Sequence, residues 1–214
     1  MDHGFPISLL VLAWTCGSAF SQTLADAAAE TLGSVKETHY EHKTHVDRAA
    51  GVFDLDCSGF ADYLLKRMAR DQYNQLPIEA GHTRPRAEIY YEFFAGLAQT
   101  PKPGWQVVQH FSDVHRGDII AWKKEAAAQE SGDTGHVMIV AQSPLRTVAD
   151  SYRVTVYDST KSQHDNDTRA PGTNGIGKGD LFFYVNAQDA PVAFQFSSQR
   201  KVHDAPIAMA RLTK

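Results

Sequence analysis

The chain predicts an α+β fold, with helices packed on an antiparallel β-sheet, and two observations carry that prediction. Apolar residues recur at helical spacing before Pro101-Lys102-Pro103-Gly104, and short runs of β-branched and aromatic residues follow it. Helices first and strands afterwards is the order of α+β folds; regular alternation would predict a parallel sheet instead. No internal repeat or long linker divides the sequence, so residues 22–214 are expected to form a single domain.

The first two dozen residues read as a targeting segment. Gly4 to Thr23 carries no charge, and Leu9-Leu10-Val11-Leu12-Ala13-Trp14 is a compact apolar centre. Ala19-Phe20-Ser21 then places small residues where a signal peptidase cuts, although Met1-Asp2-His3 lacks the usual Lys or Arg. Residues 1–21 therefore read as a signal peptide, and the protein as secreted or periplasmic. Thr15, Gly17, Ser18, Ser21 and Gln22 cut the apolar run below the roughly 20 residues that a membrane span needs, so stable insertion is not expected. A formal charge of −4 with no run of Lys or Arg gives no footprint for nucleic acid or an anionic membrane.

Residues 22–38, rich in Ala, Leu and Glu, predict a helix, and a polar loop from His39 to Val52 follows. Asp56 is a good N-cap, and Ala61, Leu64, Leu65 and Met68 share one face, which predicts a helix from Cys57 to about Arg70. Ile89, Tyr90, Phe93, Phe94 and Leu97 predict a second, over Arg86–Leu97. Strands are expected at Gly117–Trp122, Gly135–Ala141, Arg153–Asp158, Leu181–Val185, Ala193–Phe196 and Pro206–Ala210. Residues 161–179, rich in Asn, Asp, Gly and Thr, read as a long surface loop.

The chemistry is concentrated at three residues. If the signal segment is removed, Cys16 leaves with it and Cys57 is left unpaired, which marks it as a reactive or intermolecularly paired thiol. In the first turn of a helix, the positive end of the macrodipole favours the nucleophilic thiolate. A thiolate nucleophile needs a base, and the base needs a third group to orient it. His136 opens an apolar strand after the turn Asp133-Thr134-Gly135 and is the candidate base; Asp158 ends the next strand and is the candidate third member. Antiparallel pairing of those strands would make the two neighbours. Blander readings compete: Cys57 as a buried apolar residue, His136 as a turn residue, Asp158 as a cap on Ser159-Thr160. Gly117-Asp118 reads as a structural turn.

No metal or cofactor is expected. His39, His42 and His45 recur every three residues, but no carboxylate or cysteine completes a ligand set. His-Glu-x-x-His, Cys-x-x-Cys, and the phosphate-loop and dinucleotide glycine patterns are all absent from the sequence.

Asp56-Cys57-Ser58-Gly59-Phe60, then Gly117-Asp118-Ile119-Ile120-Ala121-Trp122, then Gly135-His136-Val137-Met138-Ile139-Val140 resembles, in that order, the NlpC-type cell-wall cysteine peptidases of the papain-like superfamily. The likeness covers roughly Tyr40 to Thr160. It implies a papain-like fold, with the nucleophile at a helix N-terminus, and hydrolysis of amide bonds beside D-glutamate in peptidoglycan stem peptides. It makes Cys57 the nucleophile, His136 the base and Asp158 the third residue, where the family often has His, Asn or Gln. Backbone N–H groups of Cys57 and Ser58 would hold the oxyanion, and Tyr40 would line the substrate cleft. The partner expected is a wall peptide, bound by a monomer. Two other functions stay open: a papain-like amidase or transglutaminase-type acyl transferase on another substrate, and a non-catalytic wall-binding module.

Overall fold

Thr23 starts the first helix with a reciprocal cap: its hydroxyl accepts the Asp26 N–H, and the Asp26 carboxylate accepts the Thr23 N–H. The computed structural model describes Met1 and residues 22–125, 132–147 and 150–213. The segment read as a signal peptide, Cys16 included, lies outside the described residues. Helix α1 (Leu24–Ser34) buries Leu24, Ala25, Ala27 and Ala28. It ends short of the predicted residue 38 because Val35 turns extended and Glu37–His39 becomes strand β1. The polar stretch predicted as a loop also holds strand β2 (His45–Asp47). Both pair with β3 (Val52–Asp54), β1 in parallel and β2 antiparallel. Its polar residues suggested a loop because this small sheet leaves Glu37, His39, His45 and Asp47 exposed.

Helix α2 (Cys57–Met68) is capped by Asp56, whose carboxylate accepts the Gly59 N–H at 2.7 Å. Phe60, Ala61, Leu64 and Leu65 are almost wholly buried. At about 1.5–3 kcal/mol for each large apolar side chain, this packing pins the helix and the position of its first residue. Lys66 and Arg67 occupy the last turn, where cations suit the macrodipole. A single turn, α3 (Arg70–Tyr73), follows, and then α4 (Ala87–Gly96), which buries Ile89, Tyr90 and Phe94.

The remaining strands are β4 (Trp105–Val108), β5 (Ile119–Lys123), β6 (Gly135–Val140), β7 (Leu145–Arg146), β8 (Ser151–Thr160), β9 (Gly175–Val185), β10 (Pro191–Gln195), β11 (His203–Asp204) and β12 (Ile207–Leu212). They form one antiparallel sheet in the order β11-β10-β9-β8-β6-β5-β12-β4, with β7 paired to β8 beside this path. The molecule is therefore α+β. Strands β4, β7 and β11 have no counterpart in the sequence reading, and β9 begins at Gly175, inside the stretch read as surface loop.

Alternate residues of the central strands feed two cores. Ile119, Ala121, Val137 and Ile139 face the helices; Ile120, Trp122, Met138 and Val140 face the other way. That second face is curled over. Trp122 of β5 stacks on Phe194 of β10 with ring centroids 3.7 Å apart, although three strands separate them in the sheet. The turn before β5 is structural, as expected: Gly117 has φ +95°, and the Asp118 carboxylate accepts the His115 N–H at 2.8 Å and pairs with Arg211 at 2.7 Å.

Candidate active site

Cys57 is buried at the start of α2, with Sγ 4.0 Å from the Gly135 carbonyl. The first-turn N–H groups of Cys57 and Ser58 have no acceptor within the helix, so both are available to an anion held at that end. Asp56 does more than cap. Its carboxylate also accepts from the Ser58 hydroxyl at 3.1 Å, His42 Nδ1 at 3.1 Å and Arg84 at 2.6 Å.

His136 enters from β6. The pairing of Ile139 with Tyr157 and Val140 with Val156 sets β6 and β8 so that the start of one lies near the end of the other. The His136 Nε2 meets Asp158 Oδ2 at 2.7 Å. The imidazole also lies within reach of the Cys57 charge. Its ring lies against Trp122, centroids 5.0 Å apart. Burial alone would lower the imidazole pKa, but the Cys57 charge and the hydrogen bonds to Asp158 and Cys57 outweigh it and raise it to about 9. The side chain therefore favours its protonated, imidazolium form.

Asp158 is completely buried, and four donors meet it. Oδ2 accepts from His136 and from His164 Nε2 at 2.8 Å; Oδ1 accepts both terminal nitrogens of Arg169, at 2.6 and 3.2 Å. Burial opposes ionisation, but the His164 and Arg169 charges with the imidazole hydrogen bonds override it and hold the carboxyl well below its ordinary range.

His164 and Arg169 escaped the sequence reading because they belong to the stretch read as an exposed loop. Both are buried. The signal that could have found them is Gly175-Ile176-Gly177-Lys178-Gly179, a strand start with every second side chain missing. A Cβ at Gly177 would lie 2.5 Å from Arg169 Nε, and one at Gly179 would lie 2.6 Å from the His164 Cβ. The glycines seat the loop.

Two cavities open beside Cys57 and His136. One, of about 270 Å³, is lined by Cys57, Ser58, Arg84, Arg86, Thr134 and other residues; the second, of about 960 Å³, reaches from His136 to Phe194, Phe196 and His203. Tyr40 borders both. It is half-buried, its N–H bonded to Asn174 at 2.7 Å and Lys161 Nζ 5.1 Å from its ring centre. Burial, then the Cys57 and Asp56 charges, push its hydroxyl far above the ordinary tyrosine range, so it stays a neutral donor. Arg84, unremarked in the sequence, ties Asp56 to Ser58.

The three spaced histidines do not converge: His39 pairs with Asp54 and His42 with Asp56. Among the described residues, no group of His, Cys, Asp and Glu is arranged to hold a metal ion. None of their helices is long and apolar enough to cross a membrane.

No family model matches the chain, and no solved structure matches it. It is similar to the uncharacterized protein R653 of Acanthamoeba polyphaga mimivirus, with 26% identity over 207 residues, covering 82% of this chain and 88% of the viral one.

Proposed function

We propose that the chain is a papain-like thiol hydrolase that cuts amide bonds in peptidoglycan stem peptides outside the cytoplasm. One observation carries the chemistry: a thiol at the start of α2 faces an imidazole whose Nε2 is held by a buried carboxylate at 2.7 Å. The substrate class rests on the resemblance of the Asp56–Phe60, Gly117–Trp122 and Gly135–Val140 segments to NlpC-type peptidases.

The Cys57 thiolate attacks the amide carbonyl carbon, and the new oxyanion takes the N–H groups of Cys57 and Ser58. When the intermediate collapses, the C–N bond breaks and His136 gives its proton to the departing amine. Water then attacks the thioester, with His136 taking a proton from it. The C–S bond breaks, releasing the carboxylic acid and restoring the thiolate–imidazolium pair.

Purified peptidoglycan digested by the chain and read by mass spectrometry tests this. New amino termini are expected, and an added amine acceptor should not divert the product. Cys57→Ser should keep the wild-type melting temperature and lose activity by several orders of magnitude. Fast alkylation of Cys57 without new termini would assign the chemistry to another amide substrate. A thiol that alkylates no faster than free cysteine at neutral pH would sink the hydrolase.

A further inference from the structure

We propose that His164 is a positioning residue that carries protons on both ring nitrogens and, with Arg169, keeps Asp158 a saturated acceptor aimed at His136. The proposal rests on the thiol chemistry above. Its basis is a count of donors. His164 Nε2 faces Asp158 Oδ2 at 2.8 Å and Nδ1 faces the Phe196 carbonyl at 3.2 Å, and the side chain is wholly buried. Both partners accept and neither can donate. A neutral imidazole has one N–H, so one nitrogen lone pair would be pressed against an oxygen with no water to intervene. Two protons satisfy both contacts.

The surroundings suit a cation there. Asp158 reaches it from β8 and His136 lies across that carboxylate on β6. From its own loop come Arg169, bonded to Asp158, and Asp167, which accepts the His164 N–H at 2.8 Å and Arg169 Nε at 3.2 Å. Asp165 and Asp180 lie close by, Asp165 accepting the Ser198 N–H and Asp180 held by Thr155, Asn166 and Arg153. The Phe196 ring stacks on the His164 ring at 6.0 Å, their planes 4° apart.

The consequence concerns proton placement. Arg169 and His164 fill three of the roughly four acceptor positions of Asp158, and His136 takes the fourth. No lone pair is left to draw the proton off His136. Two cations against one carboxylate also temper its pull on the imidazolium, which must later release that proton to the amine.

Histidine-labelled full-length chain gives the first test, by ¹⁵N NMR at neutral pH. The His164 ring, assigned by its through-space contact with the stacked Phe196 ring, should bear protons on both nitrogens; a single-proton ring there would overturn the proposal. The second test is the pH profile of Cys57 alkylation by iodoacetamide, which needs no substrate and so is independent of what the enzyme cuts. Gln keeps a donor for Asp158 but removes the charge, so a correctly folded His164→Gln chain should show its profile displaced upward by about one pH unit. A profile superimposable on wild type would overturn the proposal. If that variant does not fold, the NMR result on the wild-type chain decides. Wild-type Cys57 that fails to react at all would instead count against the thiol reading itself.

Discussion

Asp56 and Asp158 are two buried carboxylates, each met by four donors that include an arginine and a histidine, yet they are built differently. Asp56 takes two donors from its own helix turn, Ser58 and the Gly59 N–H, and two from farther along the chain, His42 and Arg84. Its partners reach solvent: the His42 side chain is 51% exposed and that of Arg84 14%. Asp158 draws on β6 and on the loop before β9, and the side chains of His164 and Arg169 are 0% and 3% exposed. The helix cap keeps two first-turn donors and tolerates water around the other two. The carboxylate that holds His136 takes every donor from outside its own strand and excludes water.

The sharpest way to break that comparison is to neutralise each carboxylate. Asp158→Asn strands buried Arg169 and His164 without a counter-charge, so it should cost about 3–5 kcal/mol of stability and weaken the hold on His136 to that of a neutral acceptor. Asp56→Asn keeps a good N-cap and leaves Arg84 bonded to Ser58 and near Asp62, so about 1 kcal/mol is expected. Urea midpoints measured in parallel check this; equal losses would erase the distinction.

Next in size is the pH response of His136. Its folded pKa lies above the ordinary value, so the stabilisation is complete below about 6.5 and is lost as pH rises through about 9. Turnover should fall over that same upper window, as the imidazolium loses the proton meant for the amine. A rate that stays flat to pH 10 would contradict this.

Tyr40→Phe probes the two cavities beside Cys57 and His136. It should leave the melting temperature unchanged and lower kcat/KM by the equivalent of about 1–3 kcal/mol, the cost of removing a polar contact to bound substrate. An unchanged kcat/KM would make Tyr40 a scaffold residue.

The smallest effect is expected behind Arg84. Burial pushes Asp62 up to about 7 against the Tyr90 hydroxyl at 2.6 Å and the Arg84 charge. Its ionisation therefore weakens the fold as pH rises through about 7. Asp62→Asn should remove that slope, seen as a smaller gap between urea midpoints at pH 5 and pH 8.

What the sequence made legible is what is signalled within a few residues. Helix α2, its cap and strand β6 could be read because their signals lie within a few residues: Asp56 before the helix, and Val137 to Val140 after Gly135. Strand β4 was hidden because Trp105-Gln106-Val107-Val108 follows directly on the Pro101–Gly104 break and is too short to show a period. The small sheet of β1, β2 and β3 was hidden by exposed polar side chains. His136 and Asp158 could be paired from strand order alone. Arg84, His164 and Arg169 could not, since each meets its carboxylate through a turn or loop whose path leaves no periodic mark.

The seat formed by Gly177 and Gly179 has a consequence for the integrity of the protein. The loop it receives is also fastened to β9 by short bonds, among them Thr168 N–H to the Lys178 carbonyl at 2.8 Å and the reciprocal Lys178 N–H to the Thr168 hydroxyl at 2.9 Å. Lifting it would expose His164, Arg169 and Asp158 together. Without the loop Asp158 would lose three of its four donors and keep only His136. Under the proposed chemistry, a substitution that unseats the loop, such as Gly179→Ala, should therefore lower activity and melting temperature together.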